Sequence, residues 1–334
     1  MHTQPPWLNL DSVKKLEELL ESAARVVIFS HRNPDGDTIG GNISLRLGLE
    51  ARDIEVASVC ADPLPHMYDI MPGCDVFRQE WDHANVDMYM NVDGSSTTQL
   101  VFPEKDPSLL DGRVPFVSID HHISNALFGT LNVVVPDACS TTFILYFLFK
   151  ELRWKITPLM ATHLLLGLYY DTGSFMHSNT THEVLQVASE LTQLGADRNM
   201  VMNVLYRQRT VGQLKVWGRA LERLEKTEEG VVISGVMQKD IHECGAHNDE
   251  VSGVVDYVNS VGDAKFSVLL SEDATKGIVK GSTRTRRDDV DLAAFCKKFG
   301  GGGHQKASGF GLSGSLRYEE IYHFETNDHT ELTF

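Results

Sequence analysis

Four short stretches of this 334-residue chain carry carboxylates and imidazoles in patterns suited to holding cations. They are His31-Arg-Asn-Pro-Asp35-Gly-Asp37, the isolated Asp93, Asp120-His121-His122, and Asp171. Carboxylate oxygens mixed with imidazole nitrogens suit hard divalent ions rather than thiolate-seeking metals. Gathered in one crevice, these groups would repel one another unless cations lay between them. Two cations about 3.5–4 Å apart activate water and stabilise both oxygens of an in-line displacement at phosphorus. The chemistry suggested is therefore metal-assisted hydrolysis of a phosphate ester or anhydride.

Each stretch has an ordinary reading as well. Asn-Pro-Asp-Gly is a turn sequence in its own right. Asp93 closing a strand would usually cap a turn, and Asp171 after an apolar helix would do the same. Adjacent histidines after VPFVSI could be incidental in a polar loop. Placement argues otherwise. The first three stretches follow or end apolar runs that read as strands, and ligands bind beyond the carboxyl ends of strands in open parallel sheets. In the third, one imidazole can bind a metal while the other faces substrate, with Asp120 holding an imidazole N–H and fixing its tautomer. Asp37 precedes Thr-Ile-Gly-Gly, so a helix N-terminus there would favour bound anions.

The elements that must position these groups are legible. Residues 11–24 repeat Leu at helical spacing, with Asp11 as the expected N-cap. Strands are expected at 25–29, 54–60, 86–93, 114–120 and 131–136. Helices are expected at about 38–50, 140–152 and 158–170, and three more across 182–226. The texture then changes to VVISGVM, FSVLLSED and GIVKGSTRT alternating with short helical stretches. This predicts an α/β, doubly wound, mostly parallel sheet domain followed by a smaller α+β domain. The expected divisions are a metal-binding catalytic domain at 1–210, a helical linker at 211–227 and a substrate-binding domain at 228–334.

Composition narrows the partners. The net charge of −16 argues against gripping long nucleic acid, which needs clustered Lys and Arg. A small anionic substrate held by metals and a few placed cations is allowed. Five scattered cysteines without CxxC spacing suggest neither a disulfide framework nor a zinc site, and fit a reducing cytoplasm. No basic segment followed by an apolar one opens the chain, so no signal peptide is expected. The longest apolar runs are too short to span a bilayer, so no membrane partner is expected.

HRNPDGD, Asp93, DHH followed by Asn125, Asp171-Thr-Gly and a late GGGGH together resemble the DHH phosphoesterase superfamily, from about residue 20 to 312. The closest likeness is the type with a DHH domain and a DHH-associated C-terminal domain, which includes bacterial nanoRNases that also dephosphorylate 3′-phosphoadenosine 5′-phosphate. The resemblance implies two Mn²⁺ ions, with Mg²⁺ or Co²⁺ as substitutes. His31 and Asp35 would bind the first, Asp37, His121 and Asp171 the second, and Asp93 would bridge them. His122 would face the phosphate, and Asp120 would stand behind the ligands. Hydrolysis of short oligonucleotides, linear dinucleotides such as pApA, or small nucleotide phosphates is implied, in an active site in the interdomain cleft. Homodimerisation is left open.

In the C-terminal domain the resemblance points to Ser282, Arg284 and Thr285 of GSTRTR, and to Gly301, Gly302, Gly303 and His304 of the glycine-rich loop, as substrate-binding residues with Asn125. A glycine run lets backbone N–H groups approach an anion closely, and an Arg pairs bidentately with phosphate. The chain departs from the family at Gln99, where an Arg is common, and at Met176 and His177, where a basic residue follows DTG-x-Phe. These departures touch anion contacts, not metal ligands. An inorganic pyrophosphatase or exopolyphosphatase would share the metal motifs, although GGGGH argues against a pyrophosphatase. A RecJ-type exonuclease would need a longer basic groove. A non-catalytic nucleotide-binding regulator would be expected to have lost some ligands.

Overall fold

In a computed structural model, residues 8–317 are described. The chain divides into two compact units between residues 208 and 209.

The first unit opens with helix α1 (Leu10–Ser22). Its cap is Asn9, not Asp11: the Asn9 amide oxygen accepts from Asp11 N and Ser12 N at 2.9 and 3.3 Å. Asp11 instead lies in the first turn, where its charge meets the positive end of the helix. Then follow β1 (Arg25–Ser30), α2 (Gly36–Glu50), β2 (Glu55–Cys60), β3 (Met88–Val92), the short helices α3 (Thr97–Leu100) and α4 (Phe102–Lys105), β4 (Phe116–Asp120), β5 (Leu131–Val134), α5 (Thr141–Glu151), α6 (Pro158–Asp171), α7 (His182–Gln193) and α8 (Arg198–Tyr206).

The five strands form one parallel sheet in the order β2-β1-β3-β4-β5. Strands β3 and β4 are buried throughout, which is why they read as continuous apolar runs rather than alternating ones. The order reverses between β1 and β3, which opens a crevice beyond their carboxyl ends. His31 and Asp93 stand one residue past those two strands.

Helices α2 and α6 pack closely, and glycines permit it. A Cβ on Gly40 would lie 2.3 Å from the His163 carbonyl oxygen. A Cβ on Gly167 would lie 2.3 Å from both Asp37 Oδ1 and Thr142 Oγ1. This contact brings the start of α2, with Asp35 and Asp37, beside the end of α6, with Asp171.

The second unit contains α9 (Val211–Glu222), β6 (Glu225–Lys226), β7 (Val231–Val236), α10 (Gln238–Cys244), α11 (Val254–Val258), β8 (Phe266–Asp273), β9 (Ile278–Arg284), α12 (Leu292–Lys297), β10 (Gly302–His304) and β11 (Ala307–Ser313). Its mixed sheet runs β10-β11-β9-β8-β7-β6, with only β7 and β8 parallel. The segment read from sequence as a linker is built into this unit. Val216, Trp217 and Ala220 of α9 are buried against Val236, Ile241 and Leu269, and Trp217 Nε1 donates to the Glu250 carbonyl at 2.9 Å. Its amphipathic stripe needs an apolar face to cover, and the sheet supplies one. Among the described residues no helix is long and apolar enough to cross a membrane.

Candidate metal centre

His31 is aimed from both sides. Its Nδ1–H donates to the Arg32 carbonyl at 2.8 Å, leaving Nε2 3.4 Å from Asp93 Oδ2 and 3.7 Å from Asp35 Oδ1. Asp35 caps α2, its Oδ1 accepting from Asp37 N at 3.0 Å and Thr38 N at 3.2 Å. The Asn-Pro-Asp-Gly turn therefore ends as a helix cap whose second oxygen stays available. Asp37, in the first turn of α2, is fully buried and held by the start of α5.

Asp93 continues the parallel ladder, its N–H donating to the Ile119 carbonyl at 3.0 Å, and then turns to φ +65°. A non-glycine residue in the left-handed region stores strain of order 1–3 kcal/mol, and such strain clusters at functional sites. His121 donates from Nδ1 to the Ala138 carbonyl at 3.2 Å, which turns its Nε2 to 3.2 Å from Asp171 Oδ2 and 3.5 Å from Asp93 Oδ1. His31, Asp35 and Asp93 offer ligating atoms within 4.8 Å of one another. So do Asp37, Asp93 and His121. Asp93 belongs to both groups.

Electrostatics tests whether cations fit here. Burial, then Asp35's charge, push the Asp37 carboxyl up to about 6, although hydrogen bonds from Thr142 and Thr141 hold it down. Burial and the charge of Asp37 also push Asp93 up to about 6. Asp171 is raised well above the carboxylate range by burial, then by Asp37 and Asp93. Burial opposes a charge on His31, yet bonds and attraction from Asp35 and Asp93 outweigh it and raise the ring well above its ordinary value. A site that struggles to ionise its own carboxylates is one that divalent cations would satisfy. The oxygen and imidazole donors fit Mn²⁺ or Mg²⁺.

Behind the ligands, Asp120 is fully buried and accepts from three donors: His121 N at 2.8 Å, His122 Nδ1 at 2.7 Å and Asn125 Nδ2 at 2.6 Å. Asn125, expected to bind substrate, is bonded to this carboxylate. Its Oδ1 also accepts from Leu127 N at 2.7 Å, so its amide orients the Asp120 carboxylate and the loop. Burial works against a charge on His122, but Asp120, then Asp93, push the ring up to about 9.

Sequence reasoning missed Thr141 and Thr142, which contact Asp37 and Asp93 from the start of α5. Ser-Thr-Thr before an apolar helix signals an N-terminus, but nothing local says which carboxylates that end meets. The departures also acquire roles. Gln99 Oε1 accepts from Ser95 N at 2.8 Å and Ser95 Oγ at 3.0 Å, closing the turn after Asp93. His177 donates from Nδ1 to the Asp171 carbonyl at 3.2 Å, while Met176 is exposed.

In the second unit, Ser282 and Arg284 share the half-buried face of β9. Arg284 Nε donates to Asp256 Oδ1 at 3.2 Å and Nη1 to the Thr283 carbonyl at 3.0 Å. Thr285, expected to bind substrate, is buried with its hydroxyl donating to the Lys265 carbonyl at 2.8 Å and accepting from Arg287 N at 3.1 Å. These two bonds tie it to the turn after β9. The glycine run forms β10, paired antiparallel to β11 with His304 opposite Ala307. A Cβ on Gly301 would lie 2.1 Å from the Gly309 carbonyl oxygen, and Gly303 adopts φ +141°, where a Cβ would lie 2.7 Å from the Ala307 carbonyl oxygen. Those two glycines have packing reasons. Gly302 and His304 are exposed.

Comparison with known proteins bears on the whole chain. A sequence profile described as the DHH family N-terminal domain matches residues 25–168, and one described as the DHHA1 domain matches 228–324. The chain is 30% identical over 322 residues to the "bifunctional oligoribonuclease and PAP phosphatase NrnA" of Thermus thermophilus, covering 95% of this chain and 92% of that one. Its identity to the protein of the same description in Bacillus subtilis is 27%, over 85% of this chain and 88% of that one. An exopolyphosphatase-related protein of Bacteroides fragilis shares the fold, with a TM-score of 0.86 at 22% identity over 93% of this chain and 94% of that one. With both domain types in order and a relative aligned along nearly its full length, the chain belongs to the DHH family of hydrolytic enzymes.

Proposed function

We propose that this enzyme is a divalent-cation-dependent phosphohydrolase that cleaves short oligoribonucleotides, linear dinucleotides such as pApA, and PAP, with two Mn²⁺ ions as its cofactor. The observation that carries the reading is Asp93, a buried carboxylate whose ligating atoms fall in one cluster with His31 and Asp35 and in another with Asp37 and His121. His31, Asp35 and Asp93 would hold one ion. Asp37, Asp93, His121 and Asp171 would hold the other. When bound, such a pair supplies an activated water at neutral pH and offsets charge on the phosphoryl oxygens.

The chain's own residues do the rest. Asp120 holds His122 by Nδ1 and fixes the plane of its ring; in this reading Nε2 would donate to a phosphoryl oxygen. The bond to Asp120 favours the charged form of the ring, which would stabilise developing negative charge. Burial of Asp37, Asp93 and Asp120 keeps bulk water away from the ligand oxygens. In the second unit, Arg284 and His304 would take a phosphate of the substrate. An acidic protein can handle such substrates because only a few phosphates need to be held. The substrate assignment is supported by the descriptions of the relatives.

The test is a panel. Chelator-treated enzyme should be inert on bis-p-nitrophenyl phosphate and active once Mn²⁺ is restored. On 5′-labelled RNAs of increasing length, with PAP, pApA and pyrophosphate alongside, the shortest RNAs and PAP should be consumed fastest. Preference for pyrophosphate, or activity that survives chelation, would refute the reading.

A further inference from the structure

Thr141 opens α5 and is fully buried. Its hydroxyl donates to Asp93 Oδ1 at 3.0 Å, and its backbone N–H donates to Asp37 Oδ2 at 2.6 Å. Thr142 adds a backbone N–H at 3.0 Å and a hydroxyl at 2.7 Å, both onto Asp37 Oδ1. These bonds leave the two carboxylates with different capacities. An ionised carboxylate has about four lone-pair sites. Three on Asp37 are occupied, so it has room for a single further partner, on Oδ2. Asp93 gives up one site to Thr141, and each of its oxygens still faces an imidazole: Oδ2 toward His31 at 3.4 Å, Oδ1 toward His121 at 3.5 Å.

We infer that Thr141 is a positioning residue for the metal pair, its hydroxyl fixing the Asp93 carboxylate in the rotation that turns Oδ2 toward His31 and Oδ1 toward His121. The inference rests on the two-cation reading above. The terminal torsion of an Asp is broad, so a carboxylate swings unless a donor pins one oxygen. Thr141 is itself fixed. Ser140 before it caps α5, its Oγ accepting from Phe143 N at 3.0 Å and bonding Thr142 Oγ1 at 2.9 Å. The pin is thus part of a helix start that cannot rotate independently. By the same set of bonds, Asp37 is left as a ligand for one ion and Asp93 as the residue able to join two.

The experiment compares the full-length wild type with Thr141→Val, which fills the same volume without the hydroxyl, and Thr141→Ser, which keeps it. Mn²⁺ is titrated into chelator-treated protein by calorimetry, and electron paramagnetic resonance of the loaded protein is recorded. Thr141→Val should bind Mn²⁺ about tenfold more weakly, the scale of one hydrogen bond to a charged group. It should also exchange the coupled-pair spectrum for that of isolated ions, while its thermal midpoint in chelator stays close to wild type. Thr141→Ser should restore both affinity and spectrum. Thr141→Ala, which vacates the volume, should show the same affinity loss as Thr141→Val. Unchanged affinity and spectrum in Thr141→Val and Thr141→Ala, or a loss that Thr141→Ser fails to restore, would overturn the positioning role. A wild type that takes up one ion or none would overturn the two-cation reading itself, and the Thr141 role with it; that outcome is visible before any variant is made.

Discussion

His122 donates from Nδ1 to Asp120 Oδ1 at 2.7 Å, and the same carboxylate receives the backbone N–H of His121 and the amide of Asn125. One buried Asp thus orients the His122 imidazole and holds the backbone of the histidine before it. Asp120→Asn should leave metal binding in place and lower kcat, because an amide oxygen holds the ring but no longer favours its charged form. His122→Ala should bind Mn²⁺ and lose turnover. Wild-type rates in either variant would remove this pair from the mechanism.

The same pair makes the metal-free protein sensitive to pH. His122 ordinarily titrates at 6.5 and is pushed up to about 9 in the fold, chiefly by Asp120 against the effect of burial. A group whose folded value is raised contributes stability that is fully present below 6.5 and is lost as pH rises through about 9. The contribution is of order 3 kcal/mol. Urea melts in chelator at pH 6 and pH 9.5 should show that loss in wild type and little of it in His122→Gln.

Asp93→Ala should abolish Mn²⁺-dependent hydrolysis with little loss of fold. Removing a buried carboxylate that Asp37 and Asp171 already repel relieves the metal-free site of charge. Differential scanning fluorimetry provides the check. In chelator the variant should melt at or above wild type, and Mn²⁺ should raise only the wild-type midpoint. A variant that unfolds in chelator while wild type does not would recast Asp93 as structural.

Arg284 is held by Asp256 through Nε and by the Thr283 carbonyl through Nη1, while Nη2 has no partner among the described residues. Such an orientation leaves its fork open to a phosphate. A charge-assisted bond of this kind contributes about 1.5–3 kcal/mol. Arg284→Ala should therefore cost about ten- to a hundredfold in kcat/KM on dinucleotides and much less on a small chromogenic ester. Equal losses on both substrates would place Arg284 at the reacting phosphate or in folding.

His163 lies fully buried in α6, donating from Nε2 to the Pro72 carbonyl at 2.8 Å. Burial lowers the ring to about 4, so it is neutral in the fold. The unfolded chain then binds a proton more readily, and stability falls as pH drops from 6.5 toward about 4. The loss is of order 3 kcal/mol. His163→Gln should flatten that acid limb in chemical denaturation; an unchanged limb would assign it to the carboxylates instead.

Much of this was available from residue order alone. Continuous apolar runs ending in HRNPDGD, Asp93 and DHH marked buried parallel strands with polar ends, because a strand covered on both faces tolerates no alternation. The glycines at 36, 40 and 167 could be seen but not interpreted, since what they make room for, the Tyr170 side chain, the His163 carbonyl and the Asp37 carboxylate, lies more than a hundred residues away in each case. Only the packing of α2 on α6 decided that Asp37 and Asp171 share a crevice. Only the docking of α5 decided that Thr141 and Thr142 hold Asp37 and Asp93. Asn125 and Thr285 show the converse. Their types fitted substrate binding, and the fold adds bonds that sequence did not announce, with Asp120 and Leu127 for the one and Lys265 and Arg287 for the other. Chemical type is a property of a residue, so sequence alone determined which groups could ligate. Which lone pairs remain open is a property of every neighbour at once, and for a polar group in a buried site that is set by tertiary structure.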